Sequence, residues 1–203
     1  YIRTAKKIDS LSVIDVTPVV KENFKLNLTD FFFERLIADN DLDGFIVATS
    51  PLYQPKIISH MIKMKIPVIA EKPICLKYSE LDFIETLFDN KQIAFVNHFH
   101  LFLDFFLFLE KHISPHKIRK VTIQDGNIGP YRNDMSPLLD WGSHSMGVLI
   151  KLFNELPEKI KAKKLLFKNK KGQEISNWKL KTSFSSNRHC YLFIGNGFPQ
   201  KKR

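Results

Sequence analysis

Cysteine is nearly absent. Cys75 and Cys190 are the only two among 203 residues, and they stand far apart. Two isolated thiols build neither a disulfide framework nor a metal-ligand spacing, which predicts a reducing, cytoplasmic setting. Long apolar runs are missing too. The greasiest stretch, Phe99 to Leu109, carries His100 and Asp104 and is too short to span a bilayer, so it predicts a buried helix and no membrane partner. The opening residues Tyr1 to Lys7 have no apolar centre and do not read as a signal peptide. Acidic residues are the minority, 21 against 31 Lys and Arg, for a formal net charge of +10. Clustered cations would neutralise nucleic-acid phosphates, but these lysines are spread along the whole chain. The one dense run, Lys161 to Lys171, is interrupted by Leu165, Leu166 and Phe167 and reads as a solvated strand face. A nucleic-acid partner is therefore not expected, because it would require Lys and Arg on one continuous face.

What is present is enough apolar residue, 44%, for a sizeable core. Tyr1 to Ile8 read as the last turns of a helix, Leu11 to Asp15 as a short strand ending in an acid, and Lys25 to Leu28 as another. Asp30 caps a helical pattern running through Ala38. Asp43 to Thr49 is a continuous apolar run, the signature of a strand buried on both faces of a parallel sheet. Ser50-Pro51 breaks it. A helix over Pro55 to Met64, a strand over Pro67 to Glu71, a helix over Ser79 to Phe88 and a strand over Gln92 to Asn97 follow. Strands alternating with helices predict parallel α/β units. Beyond His98 the rhythm changes. A helix over Phe99 to His112, a strand over Ile118 to Gln124, a loop from Asp125 to Pro137 and a helix over Leu138 to Phe153 are expected. Strands at Lys159 to Phe167, Ile175 to Phe184 and Cys190 to Ile194 then follow without helices between them, which predicts an antiparallel sheet with helices on one face.

Four residues invite chemistry. Asp140 and His144 lie four apart in a helical segment, so their side chains share a face. A carboxylate beside an imidazole suits acid/base work near neutral pH, although such pairs also occur on ordinary surface helices. Lys72 follows a buried strand, between Glu71 and Pro73, and α/β sheets place their ligands at the carboxyl ends of parallel strands. The same lysine could equally be a surface loop residue. Pro73 is a candidate for a cis bond, since such bonds are essentially confined to proline. Asp15 ends an early strand, where dinucleotide folds place an acid against the ribose hydroxyls. It could also be the start of the turn at Thr17-Pro18.

Taken in order, Val47-Ala48-Thr49-Ser50-Pro51, Val68-Ile69-Ala70-Glu71-Lys72-Pro73 and Asp140-Trp141-Gly142-Ser143-His144 resemble the glucose–fructose oxidoreductase and inositol dehydrogenase (Gfo/Idh/MocA) family. Gly129-Pro130-Tyr131-Arg132 and Leu156-Pro157-Glu158-Lys159-Ile160 resemble its layout further downstream. The resemblance covers most of Ser12 to Lys161. It implies that Lys72 and His144 are the catalytic pair, with Asp140 beside them in the substrate pocket. Thr49, Ser50, Glu71 and Asn97 would approach the nicotinamide half of NAD or NADP, and Asp15 would meet the ribose. Gln54 stands where the family often has His, and the family's Gly-rich phosphate loop would lie upstream of Tyr1.

The expected fold is α/β: a Rossmann-like parallel sheet over residues 1–98, lacking its first strand, then an incomplete α+β domain over 99–203 with a mainly antiparallel sheet. The expected function is hydride transfer between NAD(P) and a secondary alcohol of a sugar, nucleotide sugar or cyclitol, in a homo-oligomer formed through the carboxyl-terminal sheet. The alternative is a non-catalytic binding or assembly protein that keeps the fold.

Overall fold

The computed structural model describes residues 34, 35, 38, 42–89, 92–128, 134–169 and 172–202. The helices and strands expected before residue 34, Asp15 among them, lie outside the described residues. Among the described residues, two sheets carry the fold. The first is parallel, in the order β1 (Phe45–Val47), β2 (Val68–Glu71), β3 (Ala94–Asn97). The helices α1 (Gln54–Lys63) and α2 (Tyr78–Thr86) connect its strands. The predicted α/β alternation is therefore observed, with element ends shifted by a residue or two.

Local chemistry explains these boundaries. Pro55 sits in the first turn of α1, where its missing N–H costs nothing. Lys65 ends that helix in the left-handed region at φ 60°, and the amides of Lys65 and Ile66 bond back to the carbonyls of Ile62 and Met61. At the start of α2 the Glu80 carboxylate accepts the amides of Leu76 and Lys77, satisfying donors the helix cannot. Ile57, Ile58, Met61 and Ile62 of α1 pack on Val47, Val68 and Ala70. The expectation of burial on both faces is not met. Ile46, Ile69 and Phe95, paired side by side in the register, are 44%, 41% and 42% exposed, because the described helices cover only the other face.

After β3 the chain makes a single 3₁₀ turn (Phe99–Phe102) and then α3 (Asp104–His112). The one continuous helix expected here is interrupted at Leu103, which is extended at ψ 138°. Asp104 begins the new helix, an acid at the amino-terminal end where the helix dipole favours it. Nor is the segment buried: only Phe106 of α3 is, while Phe105 is 71% exposed. Apolar residues surround α3 on more than one side, and its neighbours cover one.

The second sheet has five strands in the order β5 (Lys159–Lys168), β6 (Glu174–Phe184), β7 (Arg188–Gly195), β4 (Lys120–Ile128), β8 (Gly197–Lys202). Three of its pairings are antiparallel and β4–β7 is parallel, so the expected mainly antiparallel sheet is present. β4 runs on to Ile128 where a loop was expected from Asp125. Its extra length pairs with β8, a strand not anticipated because Pro199 interrupts it; an edge strand tolerates proline. Gly126, at φ 157°, lies against β7, and a Cβ there would stand 2.0 Å from the Gly195 carbonyl oxygen.

The helix expected over Leu138 to Phe153 is also two: a short turn α4 (Pro137–Asp140) and α5 (Gly142–Phe153). Ser136 Oγ accepts the Leu139 amide and Pro137 occupies the first turn, a strong start signal one residue early. Gly142 lets the break approach β7, since a Cβ there would lie 3.1 Å from Ile194 Cδ1. Leu149 and Phe153 of α5 form the second core with Leu180, Phe184, Cys190, Leu192 and Ile194. Among the described residues, no helix is long and apolar enough to cross a membrane.

Candidate functional site

A parallel sheet aligns the carboxyl ends of its strands along one edge, and here the predicted residues gather there. Register pairing sets Glu71 beside Asn97, and Asn97 Nδ2 donates to Glu71 Oε1 at 2.9 Å. The other Glu71 oxygen accepts the Lys72 amide at 3.3 Å. Glu71 thus ties the ends of β2 and β3 together and fixes the backbone from which Lys72 projects. The Lys72–Pro73 bond is cis.

Lys72 reaches across to the second unit. Its Nζ donates to Asp140 Oδ1 at 2.8 Å and to the Asp140 carbonyl oxygen, with only 11% of the lysine side chain and 24% of the aspartate exposed. Two of the three ammonium donors are therefore held by one residue. A cation held this way is preorganised for a negatively charged oxygen near its remaining donor. The carboxylate expected to orient His144 has Lys72 as its observed partner instead. The reason is local: the chain breaks at Trp141, so Asp140 and His144 do not belong to one regular helix.

His144 is buried at 4% exposure in an aromatic nest. Its ring centroid lies 4.3 Å from that of His100, 4.9 Å from Phe99 and 6.1 Å from His98, each edge to face. Lys72 connects to this nest through charge. Burial pushes the His98 imidazole below its ordinary pKa, the Lys72 ammonium pushes it further, and Glu71 opposes them. His98 Nδ1 is buried without a hydrogen-bond partner, close under α5, where a Cβ on Gly147 would come within 2.9 Å of it. Deeper, Ser145 Oγ donates to Asp125 Oδ2 at 3.1 Å, tying α5 to β4.

At the end of β1, Ser50 Oγ donates to Asp134 Oδ2 at 3.2 Å, a second polar link between the two units. The Thr49 carbonyl accepts Gln54 Nε2 at 3.2 Å, while Gln54 Oε1 is buried with no hydrogen-bond partner. Buried polar atoms are rarely left so. The Thr49 and Ser50 hydroxyls and the Glu71–Asn97 pair make a polar edge whose donors and acceptors fit the amide and hydroxyl groups of a nicotinamide nucleoside. Asp15 lies outside the described residues. Among those described, no group of three or more His, Cys, Asp or Glu is arranged to hold a metal ion.

Sequence reading passed over His98, His100 and Asp134. The first two carried a usable signal, since His-Phe-His directly follows the carboxyl end of a parallel strand, where ligands lie. Asp134 carried none, because its contact with Ser50 spans 84 residues.

Comparison with known proteins agrees with the fold. Residues 5–98 match the family described as "Oxidoreductase family, NAD-binding Rossmann fold". No curated protein matches the chain. Among solved structures, a candidate oxidoreductase from Magnetospirillum magnetotacticum MS-1 superposes with a TM-score of 0.74 at 22% identity, over 83% of this chain and 55% of that one. Biliverdin reductase from Synechocystis sp. PCC 6803, solved with biliverdin and NADP+, gives 0.67 at 17% identity, over 84% and 58%. UDP-N-acetylglucosamine 3-dehydrogenase from Acidithiobacillus ferrooxidans gives 0.68 at 12%, over 79% and 50%. At these identities the likeness is one of fold, and the chain spans about half the length of these three structures.

Proposed function

We propose, from the match of residues 5–98 to the NAD-binding oxidoreductase family, that the protein oxidises a secondary alcohol of a sugar, nucleotide sugar or cyclitol, reversibly, with NAD(P). The observation that carries this reading is the Lys72–Asp140 pair, which spans the two units at the carboxyl edge of the parallel sheet. Thr49, Ser50, Glu71 and Asn97 would hold the nicotinamide half of the cofactor. When bound, the cofactor supplies the hydride acceptor, and the protein's part is orientation and charge. The substrate hydroxyl must lose its proton as the carbinol carbon loses hydride. Lys72, held by Asp140, would stabilise the oxygen as negative charge develops on it. His144 would take the proton, with His98 and Phe99 fixing the ring beside His100. Asp15, ending the strand predicted at Leu11 to Asp15, would repel a 2′-phosphate and favour NAD over NADP; faster turnover of NADP than NAD would discard that assignment.

The test is Lys72→Ala. Turnover should fall by at least ~10²-fold, the scale of a positioned acid/base or charge-stabilising group, with cofactor affinity little changed. Near-wild-type kcat in this variant would return Lys72 to a structural role and favour a non-catalytic protein on the same fold.

A further inference from the structure

One short stretch of the second unit meets the first at two places. Asp134 precedes the turn α4, and Asp140 ends it. Asp140 holds Lys72 just beyond β2, while Asp134 Oδ2 accepts the Ser50 hydroxyl at 3.2 Å just beyond β1. Between the two carboxylates Met135 is buried to 7% exposure and Ser136 caps the turn, so a fixed piece of chain sets both. β1 and β2 are register neighbours, with Val47 beside Ala70, and adjacent strands lie about 4.8 Å apart. A group that fills the edge between Ser50 and Lys72 therefore has a carboxylate close by on either side.

The two carboxylates differ in their partners. Asp140 faces the Lys72 ammonium. Asp134 meets the Ser50 hydroxyl, a neutral donor that occupies one lone pair and leaves the charge in place. Ser50 Oγ accepts the Leu52 amide at 3.4 Å, and its own proton goes to Asp134. Asp134 is exposed, so a ligand on this edge can reach it. We infer, resting on the cofactor reading proposed above, that Asp134 is a further cofactor-positioning residue, supplied by the second unit, that favours the oxidised nicotinamide ring. Oxidised nicotinamide is a pyridinium cation and the reduced ring is neutral, so a carboxylate at this edge attracts one form and not the other. The phosphate of a nicotinamide nucleotide is the same in both forms and cancels in the comparison. A hydrogen bond that only tied the two units together would show no such preference, and Asp134→Asn would preserve it, because the amide oxygen still accepts from Ser50.

The experiment measures binding of nicotinamide mononucleotide and of its reduced form to the full 203-residue chain. This probe is the nicotinamide half of the cofactor alone. The parent protein should bind the oxidised form more tightly. Asp134→Asn should lower the ratio of the two affinities about threefold, the scale of an exposed charge pair, without moving the melting temperature. Added salt should shrink the parent's ratio in the same direction. Ser50→Ala unties the carboxylate without discharging it and should lower the ratio by less. Glu174→Gln, the same loss of charge on β6, should leave the ratio where it was. An unchanged ratio in Asp134→Asn, with both forms still bound, would overturn the inference alone and make Asp134 a tie between the units. So would a parent protein that holds the reduced form as tightly as the oxidised one, or an equal fall in Glu174→Gln. Failure of both forms to bind the parent protein would overturn the cofactor reading and the inference with it.

Discussion

The two sheets arrange their side chains differently. In the parallel sheet every strand ends on the same edge, so Thr49, Glu71 and Asn97 come to one side of it from the ends of three separate strands. Lys72 and His98 follow at once. The five-stranded sheet runs both ways and has no such edge. What distinguishes it is its faces, one burying Leu180, Leu192 and Ile194 to 7% exposure or less, the other carrying lysines together with Leu165, Phe167 and Ile175. A parallel sheet therefore collects functional side chains by strand polarity, while a mixed sheet sorts its side chains by strand parity. The sheets differ in burial as well, since the first leaves Ile46, Ile69 and Phe95 open on one face.

The largest effect should come from the second core. Leu192, 1% exposed, packs between β7 and α5, and Leu192→Ala should cost about 3 kcal/mol or more in urea unfolding. Ile69→Ala, at 41% exposure, should cost less than about 1 kcal/mol. Equal losses would erase the difference in burial.

Ion pairs sharpen the same contrast. Arg188 is 6% exposed, donates to Glu155 and lies 4.6 Å over the Phe153 ring, so that carboxylate balances a buried positive charge. Glu155→Gln should cost about 2 kcal/mol, below the usual loss for a broken buried pair because Ser185 still accepts from the guanidinium. Glu174→Gln, which removes an exposed partner 3.8 Å from Lys164, should change stability by less than about 0.5 kcal/mol. A comparable loss from both would mean that burial does not set the value of these pairs. At the edge of the first sheet, Asp140→Asn keeps the shape but removes the charge holding Lys72. It should lower kcat by about tenfold, less than losing Lys72 itself. An unchanged kcat would detach Asp140 from the proposed chemistry.

How far the sequence could be read follows from how local each feature is. The units from Phe45 to Asn97 were legible because continuous apolar runs and the punctuation at Ser50-Pro51 and Pro73 act within a few residues. The break at Leu103 was not, because one extended residue leaves the apolar pattern of Phe99 to Leu109 untouched. β4 ends at Ile128 only because β8 pairs with it from about seventy residues away, which no window of sequence contains. The alternation of Lys159, Lys161 and Lys163 was visible, as was Lys179 with Lys181. That both rows share a face is a fact of register. Lys72 and Asp140 were identified separately through a family resemblance, while their contact joins residues 68 apart. His98 was read as a boundary, because a histidine after a strand looks the same whether or not a buried ammonium lies nearby.

That histidine provides the finest test of the carboxyl edge. His98 has its pKa lowered from 6.5 by burial first and by Lys72 second, against Glu71. In the unfolded chain the ring regains its ordinary value, so between the two pKa values the unfolded state holds more protons. The stability His98 contributes is present above about pH 6.5 and is lost as pH falls below it. His98→Gln removes the titration, so stability between neutral pH and about pH 5.5 should fall less steeply than in the parent protein. Urea unfolding across that range measures the slope directly. Lys72→Met should flatten it in part, since one cause of the depression goes while burial stays. Identical acid slopes in all three proteins would mean that His98 does not sense the edge. A full flattening in Lys72→Met would mean that charge, and not burial, sets its state.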